Sequence, residues 1–416
     1  MARGWAANPT SRSGILVVAV WFVSAGSAGA TDVADLVDQL SGANYRDLLD
    51  NRLYTRSGDN RGFQWNAAQD RYLPTADHDA ARNYILGHFA ALGLEASLDP
   101  FSFVRSGKTY AGCNNVLGVL PGRIDPLRVY FVGGHYDSVS NPGADDNASG
   151  VAGVMEAARV LSQHPFACTI VFAAWDGEEM GLKGSWHWVN TEDESVVDGV
   201  ANLDMIAYNH NGDDTAVVYG EASWRTKWAG AAARYSEGIT PIVSSSQVRY
   251  SDHWPFEDVG RPAGGIIEDG LPLPNPNYHK QSDSVDTPGY LDYDYALEIL
   301  KSAVGLIFEE AGLLLPGDAD TDGDVDASDY LTLKRGLGTP AGAGWAEGDF
   351  DADEDVDRDD FLALQEHGAE ALVFPSAGGG APVPEPAGLA MLAALLAAGL
   401  PRRRYFPSGR CQKLSQ

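Results

Sequence analysis

Five side chains in this chain have the types, order and sequence context that a pair of zinc ions requires. They are His135 in GGHYDS, Asp146 in GADDNASG, Glu179 in DGEEMGLKGS, Asp204 in NLDM and His279 in NYHKQSD. If Asp146 bridges two ions, each ion also receives one histidine and one further carboxylate, which is enough for a zinc site that keeps a position open for water. The pattern predicts hydrolysis of a peptide bond.

In this arrangement one ion takes His135, Asp146 and Asp204, and the other takes Asp146, Glu179 and His279. A water or hydroxide lies between ions about 3.5 to 4 Å apart. Glu178 is then placed to take the proton of that water and return it to the leaving amine. Asp137, two residues after His135, is expected to accept the other ring N–H of that histidine. Tyr250 and Tyr278 are both candidates to stabilise the developing oxyanion.

Taken singly, each of these residues also has a purely structural explanation. Asp145 and Asp146 before NASG are residues that commonly begin a helix, and a double glutamate is favoured at a helix start by the dipole. These separate explanations do not account for a complete two-metal set in the right order.

The segments that carry these residues alternate between apolar strands and helices from Leu127 to Gly312. His135 follows VYFVGG, Glu178 and Glu179 follow TIVFAAW, and Asp204 lies within a short apolar strand. Before them, DHDAARNYILGHFAALG predicts an amphipathic helix that ends at Gly93. The pattern predicts an α/β fold with a mostly parallel sheet, helices on both faces, and the candidate residues at the carboxyl ends of strands.

Composition limits the classes of partner. With 29 basic and 58 acidic residues the formal net charge is −29, which argues against nucleic acid or anionic lipid as a partner of the main body. Three widely spaced cysteines exclude a disulfide framework and a CxxC zinc site. A single bridge between Cys113 and Cys168 is one alternative, and a buried free thiol at Cys168 is the favoured one.

After Leu315 two acidic segments repeat at an offset of 31 residues, GDADTDGDVDASDYLTLKRGLG and GDFDADEDVDRDDFLALQEHG. Carboxylates at alternate positions, with a glycine at the tight turn, suit a calcium loop of EF-hand type. The first loop offers Asp318, Asp320, Asp322, Asp324, Asp326 and Asp329, and the second offers Asp349, Asp351, Asp353, Asp355, Asp357 and Asp360. Glu354 stands in the second loop where the first has Gly323. The alternative is a disordered acidic linker.

The amino-terminal end of the chain has the pattern of an export signal. Arg3 and Arg12 precede an apolar stretch and the small-residue site Ala28-Gly29-Ala30, which predicts a signal peptide over residues 1–30 and export of the mature chain. The predicted organisation continues with a zinc peptidase domain over 31–315, a calcium module over 316–369, a linker over 370–382, a sorting tail over 383–404 and an unassigned end over 405–416.

Residues of about 75 to 312 resemble the bacterial leucyl aminopeptidase family of di-zinc exopeptidases, relatives of glutamate carboxypeptidase II. The stretches that carry the resemblance are GGHYDS, GADDNASGVAGVMEAARVL, DGEEMGLKGS, NLDM, YSDHWPFEDVGRPAGG and NYHKQSDSVDT. The resemblance implies a phosphorylase/hydrolase-like three-layer α/β sandwich and two Zn²⁺ ions. It also implies the roles given above for His135, Asp146, Glu178, Glu179, Asp204 and His279. It also selects Asp146 rather than Asp145 as the bridge.

The acidic repeat resembles the type I dockerin module, which implies Ca²⁺ as a second cofactor and a possible cohesin-like protein partner. The tail VPEPAGLAMLAALLAAGLPRRR resembles the PEP-CTERM sorting signal, which implies removal by an exosortase-type processing enzyme and a transient association with the membrane. A simple C-terminal anchor is the alternative. The implied location is the periplasm, the cell envelope or the extracellular space.

The sequence thus predicts an exported di-zinc metallo-aminopeptidase that hydrolyses N-terminal residues from peptides. Three alternatives stay open: carboxypeptidase activity, glutaminyl cyclase activity on the same fold, or an inactive peptidase fold that serves as a dockerin-bearing scaffold.

Overall fold

The computed structural model describes residues 33–268 and 274–368. Within these ranges ten strands form one mixed sheet. The strands are β1 (Phe63–Asn66), β2 (Arg71–Pro74), β3 (Glu95–Arg105), β4 (Lys108–Leu120), β5 (Asp125–His135), β6 (Cys168–Trp175), β7 (Val197–Leu203), β8 (Thr215–Gly220), β9 (Thr240–Val243) and β10 (Ala263–Glu268).

The sheet has the order β1-β2-β4-β6-β5-β7-β10-β8-β9, and β3 pairs with β4 as a hairpin outside this path. Strands β6, β5, β7 and β10 run parallel to one another at its centre. The antiparallel pairs lie outside them, β4 against β6 and β8 against β10. The predicted mostly parallel α/β sheet is confirmed, and its four central strands deliver their carboxyl ends to one edge.

Ten α-helices accompany the sheet in the described ranges. They are α1 (Val33–Val37), α2 (Gly42–Asn51), α3 (Ala76–Ala91), α4 (Gly150–Leu161), α5 (Lys183–Thr191), α6 (Ala222–Tyr235), α7 (Trp254–Asp258), α8 (Tyr293–Glu310), α9 (Ala327–Gly336) and α10 (Arg358–His367). The predicted helix before the sheet is α3, and Gly93 follows it with a positive φ of 80° that terminates it. Helices α1 and α2 and the hairpin β1–β2 were not predicted.

Strand β5 shows why helices cover both faces of the sheet. Tyr130 and Val132 belong to the larger core, which α4, α6 and α8 share, whereas Phe131 between them belongs to a second core with Trp188 of α5 and Phe256 of α7. Successive side chains of a strand point to opposite faces, so a strand that is apolar at every position needs cover on both. The result is the three-layer arrangement that the sequence predicts.

The two cysteines within the described ranges form no bridge: Cys113 and Cys168 are both free and buried. In the antiparallel pair of β4 and β6, Leu120 lies opposite Ile170 and Val116 lies opposite Ala174. This register places Cys113 at the far end of the pair from Cys168. The alternative of a single disulfide is therefore wrong, and the buried free thiol at Cys168 is confirmed.

The acidic module follows the sheet domain with a short junction. Leu313 forms a β-bridge with Phe166, just before β6, and Leu314 N–H donates to the Pro165 carbonyl at 2.9 Å. Beyond the junction a separate small core forms around α9 and α10. Its members are Leu314, Ala319, Val325, Leu333, Ala343, Trp345, Phe350, Val356 and Leu364. The alternative of a disordered linker is wrong for residues 316–368.

The predicted signal peptide (1–30), linker (370–382) and sorting tail (383–404) lie outside the described residues. No helix in the described part of the chain is long and apolar enough to cross a bilayer.

Two helical glycines give opposite expectations for the same substitution. A Cβ on Gly305 in α8 would lie 2.1 Å from the Tyr235 ring, so Gly305→Ala should destabilise the fold by about 1–3 kcal/mol through overpacking. At Gly230 in α6 the nearest atom is the flexible end of Arg234 at 3.3 Å, so Gly230→Ala should be neutral or stabilise by up to about 1 kcal/mol. Urea unfolding of the two variants measures the difference, and equal effects would contradict this packing.

Candidate metal centre

The structure brings the five predicted ligands together at the carboxyl ends of the central strands. His135 is the last residue of β5, Glu179 follows β6, and Asp204 directly follows β7. The prediction that Asp204 lies within a strand was wrong by one residue, since β7 ends at Leu203. Asp146 lies in the turn before α4, and His279 lies in the loop between β10 and α8.

The first group of ligand atoms surrounds His135, which is 1% exposed. Its Nε2 lies 3.3 Å from Asp146 Oδ1 and 3.5 Å from Asp204 Oδ1. One nitrogen carries at most one hydrogen, so it cannot bond to both carboxylates at once. A cation among the three atoms would satisfy all of them.

The second group surrounds His279. Its Nε2 lies 3.1 Å from Asp146 Oδ2 and 3.2 Å from Glu179 Oε2. Asp146 Oδ2 and Glu179 Oε1 are buried without a hydrogen-bond partner of good geometry. Buried carboxylate oxygens that lack a hydrogen-bond partner and lie beside a histidine nitrogen are typical of a set of metal ligands.

Asp146 belongs to both groups, with one carboxylate oxygen directed to each histidine. Each group holds three ligand atoms that lie within 4.8 Å of one another. The donor set of each is one imidazole and two carboxylates, which fits zinc.

Charge in this pocket also calls for a cation. Burial raises the pKa of Glu179 to about 8, and the neighbouring Asp146 charge adds to the shift. Although burial lowers the pKa of His279, hydrogen bonds to Asp146 and Glu179 raise it to about 10. The protein alone thus gathers protons onto groups that are unprotonated ligands in a metal site, so metal binding here must release protons.

Glu178 lies beside the two groups without belonging to either. Its Oε2 is 4.0 Å from His135 Nε2, and its side chain is 11% exposed. Burial raises the pKa of Glu178 well above its ordinary value. Glu179, the next residue, points into the second group, so the two glutamates are separated in the way that the sequence predicts.

Asp137 makes contacts that differ in part from the expected ones. His135 Nδ1 lies 3.2 Å from the backbone carbonyl of Asp137 and 3.6 Å from its carboxylate, so the nearer acceptor is the main chain. The carboxylate instead accepts the backbone N–H groups of Glu178 and Glu179, at 3.0 and 3.3 Å. Asp137 therefore connects the loop after β5 to the loop after β6.

Asp283 holds the backbone around Asp146, the predicted bridging ligand, and sequence reasoning missed it. Its two carboxylate oxygens accept the N–H groups of Asp145 and Asp146, at 2.7 and 3.2 Å. The Tyr290 hydroxyl donates to Asp283 at 3.1 Å. The only signal in the sequence was its place in NYHKQSDSVDT, four residues after His279.

The two tyrosine candidates have different surroundings. Tyr278 stacks on the His279 ring, with centroids 3.7 Å apart, whereas the Tyr250 side chain is 84% exposed. Next to Tyr250, the Ser251 hydroxyl donates to Asp204 and accepts from Asn202 at 2.7 Å. Proximity favours Tyr278 over Tyr250 as the group closer to the metal ligands.

The two acidic loops of the C-terminal module have matching geometry. Groups that could hold a cation are Asp318, Asp320 and Asp322; Asp324, Asp326 and Asp329; and Asp349, Asp351 and Asp360. Asp329 Oδ1 accepts Ala319 N–H at 2.8 Å, and the equivalent oxygen of Asp360 accepts Phe350 N–H at 2.6 Å. Asp353 and Asp355 occupy the second loop at the positions of Asp322 and Asp324.

The second loop keeps the turn despite losing its glycine. Glu354 adopts φ 70°, against 97° for Gly323. Its N–H donates to Asp349 at 3.1 Å, as Gly323 N–H donates to Asp318 at 3.0 Å. The second loop thus keeps the backbone geometry of the first, although a glutamate at positive φ carries strain.

Comparisons with known proteins agree with the division of the chain into a sheet domain and an acidic module. Residues 115–301 match the family model described as peptidase family M28, and residues 316–367 match that of the dockerin type I domain. The sheet domain is therefore similar to peptidase family M28, and the acidic module is similar to the dockerin type I domain.

Among curated proteins, the chain is 32% identical over 212 residues to leupeptin-inactivating enzyme 1 of Streptomyces exfoliatus, an alignment of 49% of this chain and 45% of that one. It is 30% identical over 224 residues to a probable leucine aminopeptidase 1 of Trichophyton verrucosum, 48% of this chain and 58% of that one. The chain thus spans about half the length of these relatives.

Among solved structures, an aminopeptidase from Aneurinibacillus sp. strain AM-1 aligns with a TM-score of 0.54 at 16% identity, covering 68% of this chain and 97% of that one. This likeness is one of fold.

The choice of Asp146 as the shared ligand has a direct test. Asp146→Asn removes a ligand from both groups, so bound zinc should fall from two ions per chain to fewer than one. Asp145→Asn should keep two ions, because that side chain faces Ala207 N–H and Asn275 instead. Metal analysis after dialysis measures both, and zinc loss in the Asp145 variant alone would reverse the assignment.

For the second calcium loop, Glu354→Gly should relieve the left-handed strain and strengthen calcium binding by about 1 kcal/mol. Glu354→Gln removes the same charge but keeps the strain, and should leave the affinity unimproved. Calorimetric calcium titration of the two variants separates backbone from charge. A larger gain for Gln than for Gly would show that charge, and not conformation, matters there.

Proposed function

We propose that the chain is a di-zinc metallo-aminopeptidase whose dockerin module binds calcium. The observation that carries the proposal is the position of Asp146, which offers one oxygen to the group at His135 and the other to the group at His279. Two ions held by one carboxylate can act on the two sides of a single hydrolytic reaction.

The names of the relatives support the direction of cleavage. A probable leucine aminopeptidase aligns with this chain in sequence, and an aminopeptidase aligns with it in fold. A glutaminyl cyclase of Macrostomum lignano also aligns, with a TM-score of 0.55 at 18% identity over 68% of this chain and 92% of that one. Fold therefore does not separate the two activities, and the complete two-metal donor set is what favours the peptidase.

In this proposal His135, Asp146 and Asp204 hold one zinc ion, and Asp146, Glu179 and His279 hold the other. When bound, the zinc ions polarise the scissile carbonyl and bring the pKa of the attacking water near neutrality. The protein's own part is to orient these ligands and to move protons.

Glu178 carries the proton from the attacking water to the leaving amine in this mechanism. Its carboxylate is next to the ligands but outside both groups, so it stays free to accept a proton from the attacking water. It then returns this proton to the nitrogen of the leaving amine as the C–N bond breaks. Each turnover leaves Glu178 as it began, and one water is consumed.

The remaining parts of the proposal concern location and partners. A calcium-loaded dockerin module would dock a cohesin-like protein, and export would place both in a compartment where calcium is available. The predicted exosortase-type processing and transient membrane association rest on the tail sequence alone.

The full chain tests the proposal directly. We expect the purified protein to release p-nitroaniline from amino-acid p-nitroanilides, to lose this activity on chelation, and to regain it with zinc. Fewer than two bound metals together with no zinc-dependent release would instead support an inactive scaffold. Cleavage only at the carboxyl end of peptides would support a carboxypeptidase, and cyclisation of N-terminal glutamine would support a glutaminyl cyclase.

Glu178→Ala should lower kcat by about 100- to 10,000-fold, because the attacking water loses its base, while bound zinc stays at the wild-type level. Glu192→Ala is a control, since Glu192 is exposed and follows α5 outside the site. Activity and metal content are measured on the same samples. Loss of zinc in the Glu178 variant would mean that the roles of Glu178 and Glu179 are exchanged.

A further inference from the structure

One buried guanidinium, that of Arg61, contacts the loop between two of the candidate metal ligands. Arg61 lies outside residues 115–301, the region that matches the peptidase family model. Arg61 precedes β1 and is 1% exposed. No other lysine or arginine in residues 33–268 and 274–368 is buried. A buried guanidinium is costly unless all of its N–H groups find partners.

Arg61 donates mainly to the loop that joins the first ligand to the shared one. Its Nε donates to the carbonyl of Tyr136 at 2.8 Å, and Nη2 donates to that of Gly143 at 2.7 Å. Nη1 donates to the Pro142 carbonyl. Tyr136 directly follows His135, and Gly143 comes three residues before Asp146. The planar guanidinium thus holds both ends of this eight-residue loop.

The same side chain fixes the loop to residues 33–60, which precede Arg61 and β1 and are called the lead-in segment below. Nη1 also donates to the carbonyls of Leu53 and Tyr54, at 3.2 and 3.1 Å. In the main chain, Arg61 N–H donates to Ser138 Oγ and the Arg61 carbonyl accepts from Ser138 N–H, both at 3.2 Å.

There is little room for the loop to move. A Cβ on Gly143, whose φ is 57°, would lie 2.3 Å from the Asp146 carbonyl and 3.0 Å from Arg61 Nη2. The nearest charges are carboxylates, and burial lowers the pKa of Arg61 to about 10, with Asp283, Asp137 and Asp146 opposing that shift. The group is therefore positively charged at neutral pH, in a pocket dominated by negative charge.

We propose that Arg61 is a positioning residue for the metal pair: by holding both ends of loop 136–143 it sets the distance between His135 and Asp146. This rests on the proposed two-metal site, but it assigns Arg61 no contact with substrate or metal. The lead-in segment is then part of the metal-binding unit.

Lysine cannot replace arginine here. Its ammonium has three donors on one nitrogen, whereas Arg61 places donors on three nitrogens to reach Tyr136, Pro142 and Gly143. Arg61→Lys keeps the positive charge but cannot reach all three carbonyls at once. The variant therefore separates the effect of the charge from the effect of the hydrogen bonds that hold the loop.

The matched control is Arg159. It also binds the lead-in segment, through the Gln39 carbonyl at 2.6 Å, and it pairs with Glu156. It lies on α4, and neither partner borders a metal ligand. Arg159→Ala therefore loosens the lead-in segment without touching loop 136–143.

The experiment uses the full chain as wild type, Arg61→Lys, Arg61→Ala and Arg159→Ala. Zinc affinity is measured by competition with a chelator, and the visible spectrum of the cobalt-substituted protein reports the coordination geometry. Both Arg61 variants should bind zinc about 10- to 100-fold more weakly and show an altered cobalt spectrum, whereas Arg159→Ala should match wild type. At saturating zinc, kcat should fall in the Arg61 variants with KM within about two-fold of wild type.

Folded Arg61 variants with wild-type zinc affinity and cobalt spectrum would overturn the proposal. So would failure of both variants to fold at saturating zinc, because Arg61 would then support the fold as a whole. If zinc binding is weaker in Arg61→Ala but not in Arg61→Lys, the positive charge of residue 61 supports the site, and geometric positioning by the guanidinium does not. If wild type binds two zinc ions but cleaves no peptide, the proposed function fails while this test still stands.

Discussion

The candidate site depends on one electrostatic constraint: four carboxylates and two imidazoles lie close together in a pocket from which only His279 is substantially exposed. Asp146 lies between the two histidines, and Glu178 lies beside them. Carboxylates this close repel one another strongly in a low-dielectric pocket. Burial raises the pKa of Glu179 and the neighbouring Asp146 charge adds to that shift, whereas burial lowers the pKa of His279 and its carboxylate partners raise it. Divalent cations would remove the same repulsion without protons.

The loops that carry these ligands are held by a repeated device, a buried carboxylate that accepts neighbouring backbone N–H groups. Asp137 holds the N–H groups of Glu178 and Glu179, and Asp283 holds those of Asp145 and Asp146. In the acidic module after Leu315 the last aspartate of each loop does the same. Asp329 accepts from Ala319, Asp320 and Asp326, and Asp360 accepts from Phe350, Asp351 and Asp357. Charge-assisted bonds to consecutive amides fix a loop where regular secondary structure cannot.

Much of the site could be predicted because its residues directly follow apolar runs that are recognisable as strands. The apolar runs before His135 and Glu178 are buried on both faces, so they could be recognised as central parallel strands whose carboxyl ends meet. Arg61 could not be found in this way, since its partners are backbone carbonyls, which leave no pattern of side-chain types. The atom of Asp137 that faces His135 was also beyond prediction, because it depends on a local turn. Helix α1 was missed because it has only five residues, and tertiary packing on α8 stabilises both α1 and α2.

The short junction after α8 has a consequence for how the molecule is presented to its surroundings. The module is anchored where Leu313 pairs with Phe166, near the amino end of β6, whereas Glu178 and Glu179 follow the carboxyl end of that strand. Eight residues of extended chain separate the two ends by about 26 Å. A partner bound to the module would thus contact the amino end of β6, on the opposite side of the sheet from the candidate metal centre, and would leave that centre accessible.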